Sequence, residues 1–374
     1  MNKITDKNII KDKYLGSLLS GAIGDALGYS VEFMTESEIK REYGGPIEAF
    51  DLTNGKAIIS DDTQMTMFTA NALLNAYAIL YLKGDDYNHD VYVNNIYLSY
   101  LDWLDTQLGN HSYNPLKNTN SFITIYPSLH ASRDPGFTCL SSLRSTLMGT
   151  INNPLNNSKG CGGVMRVSPI GLFFTDSDID EIGKLAASAS AITHGNPLGF
   201  IPSAMLVQII HLLSHYDVSL IDAINISKDK TKDLFGSYKE TTYLLSLTDK
   251  AINLALSNIN PLDAILKLGE GWVAEETLAI AIYASLKEAN DIRKALIIAV
   301  NHNGDSDSTG AVTGNILGAY LGFSKIPDDF LKDLELKDEI SSLALDLYKA
   351  KYEHDFLKTN EFREKYISKT YGIK

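Results

Sequence analysis

The stretch NHNGDSDSTGAVTGNILGAYLG, residues 301–322, decides how this chain is read. Gly310, Gly314, Gly318 and Gly322 recur every fourth residue, so they share one face of any helix they join. Glycine inside a helix costs about 1 kcal/mol relative to alanine, so a stripe of four needs a compensating gain. Close approach of a second helix supplies one. An early segment carries the matching stripe: Gly16, Ser20, Gly24 and Gly28. In a membrane such stripes mark dimerisation faces, but both segments are too polar for that. The two helices are therefore predicted to lie at the crowded centre of the fold, one against the other. That arrangement brings the acid-rich entrance of the late helix, Asp305 and Asp307, near Asp25 and Glu32.

Helical periodicity extends along the rest of the chain. It predicts helices over 12–29, 62–83, 90–107, 139–149, 178–193, 198–215, 219–232, 238–257, 261–269, 274–289, 291–301, 309–322 and 336–352. Asp178, Ser219 and Asp291 precede apolar-periodic runs as N-caps. Few runs alternate, and no Asn-Gly turn joins alternating segments. The predicted fold class is all-α, in a single domain. Residues 1–13 read as a polar leader and 14–374 as one domain, since no composition break divides them. Residues 30–60 and 109–138 read as irregular. The second, rich in Asn, Ser and Pro, is either a binding loop or a variable surface excursion.

Composition narrows the function classes. The hydrophobic fraction is 44% and the charged fraction 21%, which is globular rather than disordered. The formal net charge is −13 with no basic cluster, which argues against a phosphate-gripping nucleic-acid surface. The Tyr-rich run at 87–100 lacks interleaved basic residues and reads as a helix face. Cys139 and Cys161 are too few for a disulfide framework or a zinc site. MNKITDKNIIKDK has no apolar core of a secretory signal, so a cytoplasmic location with reduced thiols is expected. No window holds 18 uninterrupted apolar residues, and no membrane span is expected.

Two acid clusters stand out. Ser60, Asp61, Asp62 and Thr63 open one helix; Asp305, Asp307, Ser308 and Thr309 open another, with Gly304 permitting close approach. Each cluster alone reads first as an N-cap, where Ser and Asp are preferred and acids suit the positive helix end. The clusters lie 305 − 61 = 244 positions apart, so only the fold can join them. Joined, the carboxylates would repel unless a cation intervened, and all-oxygen ligands favour Mg²⁺, Mn²⁺ or Ca²⁺ over zinc. The run NNSKGCGG (156–163) reads as a plain turn or as an amide-rich phosphate cradle. Cys161 has no nearby His motif that would make it a nucleophile. His194 follows a helix of small residues and precedes a Gly-Asn-Pro turn, which suits a helix end or a ligand contact. His211 and His215, four apart, read as a solvated helix edge.

Six segments in order resemble the ADP-ribosylglycohydrolase family: GSLLSGAIGDALGYSVEF (16–33), SDDTQM (60–65), GCGGVMRVSPIGL (160–172), THGNP (193–197), GEGWVAEETLAIA (269–281) and NGDSDSTGAVTGNILGAYLG (303–322). The resemblance implies the family's compact single-domain orthogonal helical bundle, all-α, and a binuclear Mg²⁺ site, with Mn²⁺ as a permitted substitute. By position, Ser60, Asp61, Asp62, Asp305, Asp307 and Ser308 look like metal ligands, with Asp307 bridging. Glu32, Asp62 and Asp307 look catalytic, Glu32 being the mobile acid. Ser158, Lys159, Gly160, Cys161, Gly162 and Gly163 look like the pyrophosphate and ribose loop, His194 like a substrate contact, and Trp272 like a wall near the adenine. The family often has Thr at the positions of Ser60 and Ser308, and GNG where this chain has GCG. The implied activity is hydrolytic removal of ADP-ribose from a modified protein side chain, arginine first and serine as the other candidate, through an oxocarbenium-like state. The implied partners are ADP-ribosylated proteins, the ADP-ribose product and, by a further analogy, an ADP-ribosyltransferase toxin. The competing readings are an ADP-ribose-binding or toxin-neutralising protein without turnover, and a hydrolase of another ADP-ribose derivative.

Overall fold

Seventeen α-helices, a few 3₁₀ turns and one two-residue strand pair form the regular structure of the described residues in a computed structural model; these residues are 1–109, 120–175, 178–353 and 355–367. The all-α prediction holds.

The centre of the fold is the pair Lys7–Tyr29 and Ser306–Leu321, packed antiparallel along their glycine stripes. A Cβ on Gly16 would lie 2.5 Å from the Gly318 carbonyl oxygen. Side chains on Gly24, Gly28 and Gly314 would overlap the carbonyls of Gly310, Ser306 and Ser20 in turn. Ser17 Oγ donates to the Asn315 carbonyl at 2.9 Å, tying the same seam. Backbone meets backbone, and the helix openings of the late element come level with the C-terminal end of the first.

Around this pair lie helices buried on most faces. Asp61–Lys83 and Pro197–His215 are long and apolar enough to cross a bilayer, yet 78% and 94% of their apolar windows are buried inside the fold. They serve here as core helices. Pro197–His215 corrects one expectation: His211 and His215 are buried, and His215 Nε2 lies 3.1 Å from Tyr14 Oη. An i,i+4 pair on a helix buried all round has no solvated edge to occupy.

Boundaries shift in informative ways. The first helix begins at Lys7 under an Asp6 cap, so half of the polar leader is helical, and Asn2–Lys3 pairs antiparallel with Tyr216–Asp217. The late helix begins at Ser306 rather than 309, which puts Asp305 at its N-cap and Asp307 in its first turn. Four helices were not predicted: Glu36–Tyr43, Ser168–Phe173, Asp328–Lys332 and Asn360–Tyr366. All are short. Glu36–Tyr43 buries one residue, Ile39, but carries a full Thr35/Glu38 capping box, a signal the periodicity reading passed over. Of the irregular 109–138 stretch, 110–119 lie outside the described residues. Two 3₁₀ turns at Phe122–Ile125 and Pro127–His130 follow, and a helix starts at Phe137.

Candidate active site

The acid clusters meet. Ser60 is the N-cap of Asp61–Lys83, and its Oγ accepts from the Asp62 amide at 3.2 Å. The capping does not stop there. Asp25, reaching from the central helix, accepts from the Ser60 amide at 3.0 and 3.1 Å and from the Thr63 amide at 3.0 Å. That leaves Asp61 and Asp62 free of capping duty. Asp61 accepts from the Gly136 amide at 3.2 Å, while Asp62 Oδ2 is buried with no partner among the described residues.

From the other side, Asp305 caps Ser306–Leu321, accepting from the Ser308 amide at 3.3 Å; Asp307 accepts from the same amide at 2.7 Å. Gly304 lets the loop pass against Glu270, whose carbonyl accepts from the Asp305 amide at 2.8 Å. Glu32, in the turn after the central helix, completes the ring. Oxygens of Glu32, Asp305 and Asp307 lie within 4.8 Å of one another, and Glu32 Oε2 is buried and unpartnered.

This crowding of acids is costly. Burial, and next the charge of Asp307, push Asp61, Asp62 and Asp305 well above the usual carboxylate range. The same two causes raise Asp25 to about 7 and Glu32 to about 11. Asp307 is itself raised by burial, against the pull of hydrogen bonds from Asp305, the Ser308 amide and Ser60. Five carboxylates and two hydroxyls, two of the carboxylate oxygens without a partner among the described residues, form a donor set that suits a hard divalent cation.

A cleft of about 340 Å³ opens onto these acids. Gly160, Cys161 and Gly162 line it as a glycine wall with His194 against them, and Gly136, Phe137 and Thr138 line it as well. The 109–138 stretch therefore ends as a rim of the site. The glycine loop is pinned to the Trp272 segment: the Cys161 amide donates to the Trp272 carbonyl at 3.2 Å, and the Ala274 amide to the Lys159 carbonyl at 2.9 Å. Gly271 turns that segment with φ +86°, and Glu276 accepts from the Glu270 and Gly271 amides at 2.9 and 3.2 Å. Trp272 is thereby delivered to the mouth. It stacks on Phe33, ring centroids 5.8 Å apart and planes 18° apart. Phe33 is 69% exposed and Phe137 82%, so the acidic floor has an aromatic rim.

Not every expected loop residue faces the cleft. Ser158 Oγ bonds Thr138 Oγ1 at 3.0 Å, and the Lys159 ammonium pairs with buried Glu275. Gly163 packs on the Gly199 carbonyl. Cys161 lines the cleft, but burial and the Asp305 and Asp62 charges hold its thiol well above the usual range, which makes it a poor nucleophile. The sequence reading placed Asp25 near the late acids but missed its capping of the Ser60 turn. Asp25 is signalled by its place in the glycine-striped segment, directly after Gly24 and three residues before Gly28.

Fold and floor together define an all-α protein with a buried carboxylate ring under an aromatic-rimmed cleft. The chain belongs to the ADP-ribosylglycohydrolase family, whose model matches residues 6–355. The ADP-ribosylhydrolase ARH3 of Gallus gallus is 27% identical over 212 residues, covering 51% of this chain and 57% of its own length. The chain thus spans little more than half of that relative. The ADP-ribosyl-(dinitrogen reductase) glycohydrolase of Rhodospirillum rubrum is 24% identical over 338 residues, covering 88% of this chain and 92% of its own. A solved structure described as an ADP-ribosylglycohydrolase-related protein complex shares the fold, with TM-score 0.59 at 23% identity, covering 92% of this chain and 99% of that one.

Proposed function

We propose that this chain hydrolyses the glycosidic bond between ADP-ribose and an arginine side chain of a modified protein, in a reaction that depends on Mg²⁺. The observation that carries the reading is the convergence of Glu32, Asp61, Asp62, Asp305 and Asp307 at the floor of the cleft, with Glu32 Oε2 and Asp62 Oδ2 lacking partners. Ser60, Asp61, Asp62, Asp305, Asp307 and Ser308 would hold two divalent cations, which offset the mutual repulsion and polarise bound ribose hydroxyls. Asp307 is the charge that Asp25, Glu32, Asp61, Asp62 and Asp305 all feel most, which supports it as the shared ligand.

The chain's own groups supply the rest. The Gly160–Gly162 wall and His194 accommodate the pyrophosphate and ribose, and the Phe33–Trp272 pair offers the adenine an apolar face. Glu32 would be the mobile acid that hands a proton to the leaving nitrogen, a role its unpartnered Oε2 supports. Asp62 would take a proton from the attacking water, a role its unpartnered Oδ2 supports. Asp134, at the mouth and held by Tyr29 Oη at 2.7 Å, has no cation partner among the described residues and favours a guanidinium acceptor. The reaction fits the cytoplasm, where both free thiols stay reduced, and the reversal of an ADP-ribosylating enzyme or toxin. A reader without turnover has no use for unpartnered buried carboxylates.

The test is release of ADP-ribose from arginine- and serine-ADP-ribosylated proteins, with Mg²⁺, with Mn²⁺ and with EDTA. Release from arginine, lost in EDTA and in Asp307→Ala, supports the reading. Release that ignores EDTA and the substitution sinks it.

A further inference from the structure

Arg166 is fully buried, yet among the described residues no carboxylate pairs with it. Its guanidinium lies over the Tyr100 ring, 4.1 Å from the centroid. One terminal nitrogen donates weakly to Met65 Sδ and Cys139 Sγ, both at 3.5 Å. The other donates to the Ala189 carbonyl at 3.2 Å and to Thr193 Oγ1 at 2.7 Å. An arginine buried without an anion is expensive, and the one short bond it makes to a side chain is to the residue before His194.

That bond has a consequence for hydrogen positions. Arginine can only donate, so Thr193 Oγ1 must accept from it. The hydroxyl then has one proton to place. Two atoms compete: His194 Nδ1 at 2.9 Å and the Cys139 sulfur. Burial pushes the Cys139 thiol up to about 11, so it is a neutral thiol and a weak acceptor. The proton therefore goes to Nδ1. An imidazole that accepts at Nδ1 carries its own proton on Nε2. Burial, and next the Arg166 charge, lower His194 to about 3, so the ring stays neutral. Nε2 is the atom turned toward the glycine wall: it lies 3.3 Å from the position of a Cβ on Gly160 and on Gly162.

We infer that Arg166 and Thr193 are positioning residues that lock His194 as its Nε2–H tautomer, so that it presents one permanent, uncharged hydrogen-bond donor to a phosphate or ribose oxygen in the cleft. The inference rests on the reading of this cleft as an ADP-ribose pocket. It also explains how an acidic protein receives an anion here: the donor is held by a buried cation that does not itself touch the ligand. The glycines follow from the same contact, since a side chain at Gly162 would lie 3.0 Å from His194 Cε1 and press the ring out of line.

Two measurements test it. ¹⁵N-edited NMR of the intact, ligand-free protein reads the tautomer directly. Wild type and Thr193→Ser should show Nε2–H, and Thr193→Val should lose that fixed state. A wild-type ring protonated at Nδ1 would overturn the inference. Calorimetric binding of ADP-ribose reads the donor. His194→Gln, whose amide nitrogen reaches the Nε2 position, should bind within about threefold of wild type, and His194→Asn about 30-fold more weakly. Equal affinities for the two variants would overturn the donation. If wild type itself fails to bind ADP-ribose, the pocket assignment falls, while the NMR result still decides the tautomer.

Discussion

Gly24 and Gly310 face each other so closely that a Cβ on either would overlap the other's carbonyl oxygen. The contact is backbone on backbone, with no flexible side chain to give way. Gly310→Ala should therefore destabilise the protein by about 3 kcal/mol, at the upper end of overpacking costs. Urea denaturation checks this. A loss below about 1 kcal/mol would mean the helices separate easily.

Divalent cations should stabilise this protein most at neutral and alkaline pH. Asp25 and Glu32 have folded-state affinities for protons above those of the unfolded chain, so their contribution is complete at low pH and declines as pH rises through about 7 and toward about 11. Mg²⁺ at a hundredfold excess over its dissociation constant should restore about 3 kcal/mol at pH 8. Asp307→Asn removes the charge its neighbours feel most. It should raise the metal-free melting temperature by about 2–4 °C and abolish the Mg²⁺ increment. Thermal melts with and without EDTA read both; an Asp307→Asn protein still stabilised by Mg²⁺ would place the cation elsewhere.

Acid acts through a different group. His302 is buried, bonded to Thr309 Oγ1 at 2.9 Å, and lowered by burial to about 4. Its folded state binds fewer protons than the unfolded chain between about 6.5 and 4, so stability is present above that window and lost as pH falls through it. Between pH 7.5 and 4.5 this one ring accounts for about 2–3 kcal/mol. His302→Gln should lose correspondingly less across the same range in urea titrations. Parallel pH profiles for the two proteins would refute the assignment.

The aromatic pair at the mouth should couple adenine binding to Glu32. Phe33 adjoins Glu32 in sequence and stacks on Trp272. Phe33→Ala should lower kcat/KM about tenfold, with Trp272 fluorescence shifted toward that of an exposed indole. Unchanged kinetics would make the stack ornamental to catalysis.

Loss of Asp25 should be felt at the floor of the cleft rather than within its own helix. Asp25→Ala strips acceptors from the Ser60 and Thr63 amides and should cost about 2 kcal/mol. Mg²⁺ affinity, measured by calorimetry, should fall with it.

Much of this site was legible in the sequence because its parts obey local rules. Glycine every fourth residue states which helix faces need contact, and the pairing of the two stripes follows from their matched length. Acids at helix entrances are visible as caps with a surplus. What could not be read was who satisfies the cap. Asp25 takes that role from a different helix, a fact set by the central packing rather than by spacing near Ser60. Likewise the His211–His215 pair follows a surface pattern, yet Pro197–His215 is buried on every side, and Tyr14 fills the space solvent was expected to hold. The Ser158 and Lys159 side chains turn away from the cleft because Thr138 and Glu275 satisfy them first.

The antiparallel seam between residues 16–28 and 306–318 also sets the order of events during synthesis. The first half of the carboxylate ring leaves the ribosome early, and its partner follows after some 244 further residues, the separation of Asp61 and Asp305. No partial chain ending before the late helix can assemble the ring or cover the glycine face of the first helix. That face must stay exposed, or be held by a chaperone, until the late helix has been made. The carboxylate ring thus closes only once Ser306–Leu321 has been made, in the same step that seals the central glycine seam.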